Sequence, residues 1–328
     1  MLGSSKQGID CITRMNRLGR AGEPFVFILD FEGNKPLVLT VSEAEQEGIH
    51  LVLPGLAINK SRVENFVMPS LRKVPIPFEK YLEAFEMVMM NLRRGNSYLV
   101  NLTFPTWIEM DSSLDYLFAG SSAPYKLLFK NDFLVFSPEP FVRISNGHIS
   151  SFPMKGTIRS SVPDAGSLIL ANAKEAAEHA TIVDLIRNDL SMVAKEVIVK
   201  RYRYLEEIRT NGENLLQVSS EVSGILPSDY REHIGDILAA LLPAGSVTGA
   251  PKEKTVEIII QAEQQPRGYY TGIFGHFDGD KLESAVMIRY IEQIRGEFQY
   301  RSGGGITSNS IAEDEYREMI DKVYVPVS

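Results

Sequence analysis

Apolar residues recur along this chain with two different periods, and each period predicts one kind of secondary structure. Residues 25–31 and 36–41 are runs of aliphatic and aromatic side chains separated by a turn that contains Gly and Asn, which is typical of paired strands. In residues 79–94, large apolar side chains recur every three or four positions, which predicts a helix that stops at Gly95.

The remainder of the chain shows stretches rich in strands and single long helices. Strands are expected in residues 126–154, 204–225 and 270–306. Helices are expected in residues 167–195, 229–242, 251–263 and 312–323. Because there is no regular alternation of strand and helix, the pattern predicts an α+β fold with large, mainly antiparallel β-sheets.

The best candidate for a domain seam lies in residues 68–77, where three prolines occur within ten residues. We therefore predict a short N-terminal segment, residues 1–75, packed on a main domain of residues 76–328. The sequence contains no internal repeat or low-complexity linker that would indicate another division.

Composition narrows the class of protein. The 328 residues are 44% hydrophobic and 23% charged, which are ordinary values for a globular protein. The single cysteine, Cys11, excludes an internal disulfide, and no apolar run is long enough for a membrane span. We expect a cytoplasmic protein with no membrane or nucleic-acid partner. Because the formal net charge is −8, an anionic substrate would need a local group of cations or a bound metal.

The most informative residue is Lys155, in the segment Pro-Met-Lys-Gly-Thr that follows a predicted strand. A lysine there can bind an anion, or it can attack carbon if its amine is desolvated and loses its proton. The next residue, Gly156, allows the backbone to approach a ligand closely. Taken alone, such a lysine is more often a surface residue.

Two pairs of glutamates stand three residues apart in predicted helices. Glu175 and Glu178 form one pair, and Glu315 and Glu318 form the other. Residues at this spacing project from one face of a helix, so the two pairs together could offer hard oxygen donors to magnesium. From the spacing alone, a solvated acidic face is the more common interpretation.

Two further polar segments, residues 243–252 and 184–190, could bind a ligand or stabilise the fold. Residues 243–252 (PAGSVTGAPK) form a loop of small residues before a helix, where free amides and hydroxyls such as that of Thr248 suit an anion. The loop does not have the spacing of a Walker motif. Residues 184–190 (DLIRNDL) are better explained as a buried polar network that fixes their helix.

Three consecutive glycines follow a predicted strand near the C-terminus. Gly303, Gly304 and Gly305 permit close approach of backbone amides to a carboxylate, although the run is too short for a dinucleotide fingerprint. Arg289 and Lys322 are cations that could clamp a second carboxylate. Each of them alone is more commonly a surface charge.

In this order, these segments resemble the chorismate-utilising enzymes, a family that includes anthranilate, aminodeoxychorismate, isochorismate and salicylate synthases. The resemblance runs from about Gly95 to Val323, beginning with the block Asn-Ser-Tyr-Leu-Val-Asn-Leu-Thr at residues 96–103. It implies one large α+β domain, here residues 76–328, in which two antiparallel sheets pack face to face with helices outside.

The resemblance also implies a magnesium ion that glutamates hold against the ring carboxylate of chorismate. Glu178 and Glu318 match the direct ligands, whereas Glu175 and Glu315 match residues that act through water. The residues expected to hold the substrate are Gly156, Thr157, Thr248, Arg289, Gly303, Gly304, Gly305 and Lys322.

Lys155 matches the aminodeoxychorismate synthases most closely, because the other branches carry alanine at this position. In those synthases, the lysine amine is proposed to add to ring carbon C2 as the C4 hydroxyl leaves, after which ammonia enters at C4 and expels the lysine. Glu139, sixteen residues earlier, matches the acid–base carboxylate that assists departure of the hydroxyl. The resemblance further implies a separate glutamine amidotransferase subunit as the source of ammonia.

The chain departs from the family pattern in three places, one of which is that the segment before Gly95 contains no motif that matches the family. Gln217 stands where many members have a histidine, and glutamine can donate a hydrogen bond to the C4 oxygen but cannot carry a proton. The segment before Gly95 is shorter than in typical members, so we expect the pocket that binds tryptophan in that region to be absent or reduced.

Three functional hypotheses remain at this level. The first is an aminodeoxychorismate synthase that makes 4-amino-4-deoxychorismate for p-aminobenzoate and folate. The second is an anthranilate synthase, in which Lys155 only binds substrate. The third is a non-catalytic paralogue that binds chorismate or a partner subunit, which the joint presence of Lys155, Glu139, Glu178 and Glu318 argues against.

Overall fold

The computed structural model of the chain describes residues 2–61, 63, 66–130, 132–208 and 214–326. Its helices are α1 Lys6–Ala21, α2 Val41–Gln46, α3 Phe78–Arg93, α4 Leu114–Gly120, α5 Ala165–Ala171, α6 Ala173–Ser191, α7 Ile234–Leu241, α8 Lys252–Glu263 and α9 Ala312–Asp321. Its strands are β1 Phe25–Leu29, β2 Leu37–Thr40, β3 Ile49–Leu53, β4 Leu56–Ile58, β5 Leu71–Val74, β6 Leu99–Met110, β7 Tyr125–Phe129, β8 Phe133–Ser137, β9 Pro140–Ser145, β10 His148–Ser151, β11 Met154–Arg159, β12 Lys195–Ile208, β13 Leu215–Ile225, β14 Gly249–Ala250, β15 Ile273–Phe277, β16 Leu282–Val286, β17 Tyr290–Ile294 and β18 Glu297–Ile306.

The strands form two large sheets, each of nine strands. Sheet 1 runs in the order β11-β13-β10-β9-β16-β15-β1-β2, and β12 pairs with β13. Sheet 2 runs in the order β14-β6-β18-β17-β8-β7-β3-β4, and β5 pairs with β6. Each pairing of strands in the described chain is antiparallel. The predicted α+β class with antiparallel sheets is confirmed.

The sheets pack face to face around a shared apolar core. Val26 and Ile28 of β1 and Phe274 of β15 belong to the same buried cluster as Leu127 of β7 and Val135 of β8. The alternate residues of β1 point to the other face of sheet 1, where they pack with side chains of α1, α6 and α7. Because β1 is buried on both faces, its sequence is a continuous apolar run instead of an alternating one.

Helices α3, α8 and α9 cover sheet 2 in the same way, through a cluster that includes Tyr81, Ile259 and Met319. The first strands of the chain are shared between the sheets, because β1 and β2 lie in sheet 1 and β3, β4 and β5 lie in sheet 2. Both sheets therefore contain strands from before and after residue 75. The domain boundary near residue 75 stays a prediction. None of the helices in the described residues is long and apolar enough to cross a membrane.

The helices of the structure differ from the predicted helices in two ways. The stretch 167–195 is not one helix, because α5 and α6 separate at Asn172, whose backbone is extended (ψ 110°) and whose side chain caps α6 by accepting from the Glu175 amide at 3.1 Å. Helices α1, α2 and α4 were not predicted, although the buried residues Cys11, Met15 and Leu18 of α1 recur every three or four positions. Of the β-rich stretch 204–225, residues 209–213 lie outside the described chain.

A buried ionic cluster joins α8 to sheet 2. Glu263, which is 0% exposed at its side chain, pairs with Arg267 at 2.6 Å and with Arg301 of β18 at 3.1 Å. Its Oε1 also accepts hydrogen bonds from the amide and the hydroxyl of Thr103 in β6. Arg267 in turn donates to the carbonyl of Asn101 at 2.7 Å. One carboxylate therefore pairs with two buried guanidinium groups where α8, β6 and β18 meet.

We expect Glu263→Gln to lower the free energy of unfolding by about 3–5 kcal/mol, because both buried arginines would lose their counter-charge. Unfolding in urea followed by circular dichroism measures the change. The matched control is Glu257→Gln on the same helix, where the carboxylate is exposed and pairs with Lys254; its cost should stay below about 1 kcal/mol. Equal losses in the two variants would contradict a special role for the cluster.

Candidate active site

A cavity of about 1210 Å³ lies where the ends of the two sheets meet α6 and α9. Its wall contains Lys155 and Gly156 of β11, Glu178 of α6, Glu318 of α9 and Gly304 of β18. Of the residues proposed from the sequence, the wall also includes Glu139, Thr157, Glu175, Gln217, Arg289, Gly303, Gly305 and Lys322. The fold thus brings together side chains that are spread over almost two hundred positions of the sequence.

Lys155 projects from β11 toward the acidic face of α6. Its Nζ lies 2.8 Å from Oε2 of Glu178, and its side chain is 33% exposed. Burial alone would lower the pKa of Lys155, but the hydrogen bond and charge of Glu178, with the charges of Glu318 and Glu175, outweigh burial and raise it. In this state the amine carries a proton, so it must lose that proton before it can act as a nucleophile.

The two glutamate pairs face the same region from different helices. Glu175 stands in the first turn of α6, and its Oε2 is buried without a hydrogen-bond partner in the described structure. Gly156 has a φ of +83°, and a Cβ at this position would lie 3.0 Å from that oxygen. A side chain at residue 156 would therefore be strained and would also crowd Glu175.

Helix α9 supplies the second pair. Glu318 pairs with Lys322 at 2.6 Å, and Glu315 accepts a hydrogen bond from the Ser310 hydroxyl at 2.7 Å. Burial would raise the pKa of Glu318, but the charges of Lys322 and Lys155 lower it. Burial raises the pKa of Glu315. One acid of the pair is thus held ionised by lysines, whereas the other binds its proton more readily.

The carboxylate oxygens of these glutamates are a suitable type of ligand for magnesium. Carboxylate oxygens are ligands that magnesium prefers, and the unpartnered Oε2 of Glu175 is a buried acceptor that a cation or its bound water would satisfy. As the side chains stand, no three acidic, histidine or cysteine residues of the described ranges come close enough together to hold a metal ion. The ammonium of Lys155 is instead the cation that pairs with Glu178.

Another part of the wall carries an acid and two cations. Oε1 of Glu139 accepts a hydrogen bond from the Ser246 hydroxyl at 2.6 Å. Burial raises the pKa of Glu139, although Ser246, Arg289 and Lys322 act in the opposite direction. The guanidinium of Arg289 lies 4.9 Å from the ring centre of Tyr324, and its Nε is buried without a hydrogen-bond partner within the described residues. The wall therefore offers both a carboxyl group whose pKa is raised and a free donor for an anion.

The glycine run and the neighbouring strands complete the wall. Lys322 donates to the Gly303 carbonyl at 2.9 Å, so this lysine is held between β18 and Glu318. On the opposite side, Thr157 of β11 pairs in register with Gln217 of β13. Both side chains border the cavity.

Two of the proposed residues do not reach the cavity wall. Thr248 is 0% exposed, and its hydroxyl donates to the Ala244 carbonyl at 2.8 Å, which stabilises its own turn. A direct substrate contact by the Thr248 side chain is not supported by this position. Glu315 lies behind the wall, where its Oε2 would be 3.3 Å from a Cβ on Gly304.

Sequence reasoning missed Ser246, Lys174 and Asn101, which also border the cavity. Lys174 lies 3.8 Å from Glu178, and the Oδ1 of Asn101 is buried without a hydrogen-bond partner in the described chain. Asn101 lies in the motif of residues 96–103, and Ser246 lies in the loop of residues 243–252. Their positions in these motifs were the available signal that they could border the site. The spacing of residues along the sequence does not show which residue of a motif faces the cavity.

The chain is similar in sequence and fold to several known proteins. A family model described as chorismate binding enzyme matches residues 25–328. A Haemophilus influenzae protein described as an uncharacterized PabA-like protein is 49% identical over 317 residues, 96% of each chain. The aminodeoxychorismate synthase component 1 of Salmonella typhimurium is 36% identical over 259 residues, which cover 74% of this chain and 56% of that protein. The crystal structure of anthranilate synthase component I from Streptococcus pneumoniae has a TM-score of 0.66 at 25% identity, and the match covers 81% of this chain and 60% of that one.

Proposed function

The chain belongs to the family of chorismate binding enzymes, as its motifs predicted, and we propose that within this family it is an aminodeoxychorismate synthase. It would replace the C4 hydroxyl of chorismate with an amino group from ammonia, to give 4-amino-4-deoxychorismate for p-aminobenzoate and folate. The observation that carries the proposal is Lys155, whose amine reaches the acidic part of a cavity that also contains the carboxyl group of Glu139.

Each side chain of the wall has a task in this reaction. After losing its proton, the amine of Lys155 forms a bond to C2, the ring double bonds shift, and the C4–oxygen bond breaks. Glu139 gives its proton to the departing oxygen, which leaves as water. Ammonia then forms a bond to C4, the double bonds shift back, and the bond between C2 and Lys155 breaks with its electron pair returning to the lysine amine. The nitrogen at C4 gives its extra proton to the carboxylate of Glu139, which restores the acid. Because the lysine occupies C2 in the intermediate, ammonia is directed to C4.

Recognition of the substrate would use the remaining cations and glycines. Arg289, with its unpartnered Nε, and Lys322 suit the enolpyruvyl carboxylate, and the backbone at Gly303, Gly304 and Gly305 allows close approach. Gln217 can donate a hydrogen bond to the C4 oxygen, although it carries no proton.

Magnesium is part of the proposal. Glu178 and Glu318 would bind it directly, and Glu175 and Glu315 would act through water. When bound, the ion would supply positive charge for the ring carboxylate of chorismate.

A separate glutamine amidotransferase subunit is proposed as the source of ammonia. Such an activity needs a reactive cysteine, and Cys11 is the single cysteine of this chain. Cys11 is buried in α1, and burial raises its pKa to about 12, so its thiol is a poor nucleophile.

Product identity tests the proposal. The purified chain is incubated with chorismate, magnesium and ammonium at mildly alkaline pH, and products are separated with and without an added aminodeoxychorismate lyase. We expect p-aminobenzoate that depends on the lyase, and we expect chelation of magnesium to abolish it until magnesium is restored. Anthranilate as the product would instead support the second hypothesis, for which the likeness to anthranilate synthase component I is the specific observation. No product even with an amidotransferase subunit would favour the non-catalytic paralogue.

A further inference from the structure

Glu139 is held in place at both its backbone and its carboxyl group. The backbone amide donates to the Ser137 hydroxyl at 3.1 Å, and the backbone carbonyl accepts from the Val286 amide at 3.2 Å. At the carboxyl group, Oε1 accepts from the Ser246 hydroxyl at 2.6 Å. Among the described residues the other oxygen, Oε2, has no hydrogen-bond partner. The two oxygens of this acid are therefore not equivalent.

Ser246 is itself fixed by contacts on both sides of its loop. Lys252, at the end of the loop, pairs with Asp189 of α6 at 2.9 Å and donates to the Leu241 carbonyl at 2.7 Å. A Cβ on Gly245 would lie 2.8 Å from Oδ2 of Asp189, so the loop rests directly on this carboxylate. After Ser246, the Val247 carbonyl accepts from buried Arg267 at 2.8 Å. The hydroxyl of Ser246 is thus presented to Glu139 by a loop with little freedom to move.

We propose that Ser246 is a positioning residue that holds Glu139 by Oε1, so that the acid carries its proton on Oε2, on the side open to the cavity. The inference rests on the proposed function for the role of Glu139 as an acid. A hydroxyl that donates to Oε1 leaves the unpaired Oε2 as the site for the proton. When Oε2 gives the proton to the departing C4 oxygen, water leaves with the electron pair of the broken bond. Glu139 becomes a carboxylate, and the hydrogen bond from Ser246 then stabilises the negative charge.

The groups around Glu139 decide whether its pKa should rise or fall when the Ser246 hydroxyl is removed. Burial raises the pKa of Glu139, and the Ser246 hydrogen bond, Arg289 and Lys322 lower it. Arg289 immediately precedes β17 and Lys322 follows α9, so these two cations remain when Ser246 is changed. Removing the hydroxyl takes away one group that favours the ionised form, and the carboxyl group should then titrate at higher pH.

The proposal is tested by two measurements. Infrared spectroscopy follows the titration of the Glu139 carboxyl group, and steady-state kinetics give kcat and KM. Infrared difference spectra over a pH series follow the carboxylic acid band that disappears in Glu139→Gln. In Ser246→Ala we expect this band to persist to a pH about one unit higher, because a hydrogen bond to a charged group is lost. We also expect kcat to fall roughly 10-fold with KM nearly unchanged, since the proton is no longer confined to Oε2. Ser246→Thr, which keeps the hydroxyl, should restore both values.

Ser137→Ala is the matched control, because it removes a serine hydroxyl that bonds to the backbone amide and carbonyl of Glu139 and not to its carboxyl group. It should leave the pH of the carboxyl transition unchanged. If Ser246→Ala does not fold, Ser246→Cys replaces it, and its weaker donor should give a shift in the same direction. An unshifted band in the folded variant would overturn the proposal, as would a shift of equal size in Ser137→Ala. The infrared titration needs no turnover, so it remains readable even if the assay shows another product or none.

Discussion

Replacing Lys155 by alanine is expected to lower formation of 4-amino-4-deoxychorismate by roughly 10³-fold or more, on the scale seen when a covalent catalytic residue is removed. The amination that remains should shift toward the 2-amino isomer. The physical reason is that C2 is no longer occupied by the lysine, so ammonia can attack there. Chromatographic separation of the products from chorismate and ammonium measures both the rate and the ratio of isomers.

Lys155→Arg separates nucleophilic attack from charge. Arginine can keep the ion pair that Nζ of Lys155 makes with Glu178 at 2.8 Å, but it does not lose its proton and cannot add to carbon. We expect the arginine variant to lose the 4-amino product as well. Lys174→Ala removes the other lysine near Glu178, at 3.8 Å, and should change the rate much less and leave the isomer unchanged. A 4-amino product made at the parent rate by Lys155→Ala would show that Lys155 has no covalent role.

Glu139→Gln is expected to lower kcat by about 10²–10⁴-fold, the range for loss of a general acid. Glutamine keeps the shape of the side chain and can still accept the hydrogen bond from Ser246 at 2.6 Å, but it has no acidic proton for the departing hydroxyl. Because burial raises the pKa of Glu139, more of the wild-type acid is protonated at a given pH than for an exposed glutamate. Steady-state rates with saturating chorismate and ammonium measure the loss.

Glu206 offers a matched control on β12. Its Oε2 also accepts a serine hydrogen bond at 2.6 Å, from Ser219, but it does not border the cavity. Glu206→Gln should retain a kcat within about twofold of the parent, on the scale of an ordinary surface substitution. A similar loss in the two variants would indicate a general effect of neutralising a glutamate and would remove the case for Glu139 as the acid.

Much of the fold was predictable because its signals are local. The helix over residues 79–94 and the strands near residues 25–31 and 126–154 follow from apolar periodicity, and the structure has α3, β1 and β7 to β11 in these stretches. The break at Asn172 was missed because an asparagine inside an apolar pattern is compatible with either a continuous helix or a cap. Helix α1 was missed because its buried stripe is narrow and contains glycines.

Most residues of the candidate site could be predicted from the sequence, but the contacts between their side chains could not. Lys155, Glu139 and the glutamates of α6 and α9 were recognised from motifs, and the structure gathers all of them except Glu315 around one cavity. Motif membership also pointed to Thr248, whose side chain is instead buried in its own turn. Within a short loop, only the backbone path decides which side chain faces a ligand, and residue types at a fixed spacing do not specify that path.

The sequence by itself determined the fold class, the family and the set of candidate site residues, because each depends on residues that are close together along the chain or on motifs in a fixed order. The tertiary structure alone decided how these groups are paired. Ser246 meets Glu139 across 107 positions, and Lys155 meets Glu178 only because β11 packs against α6. Such contacts set the charge and proton position of each group through distance and burial, and those quantities exist only once the sheets and helices have packed.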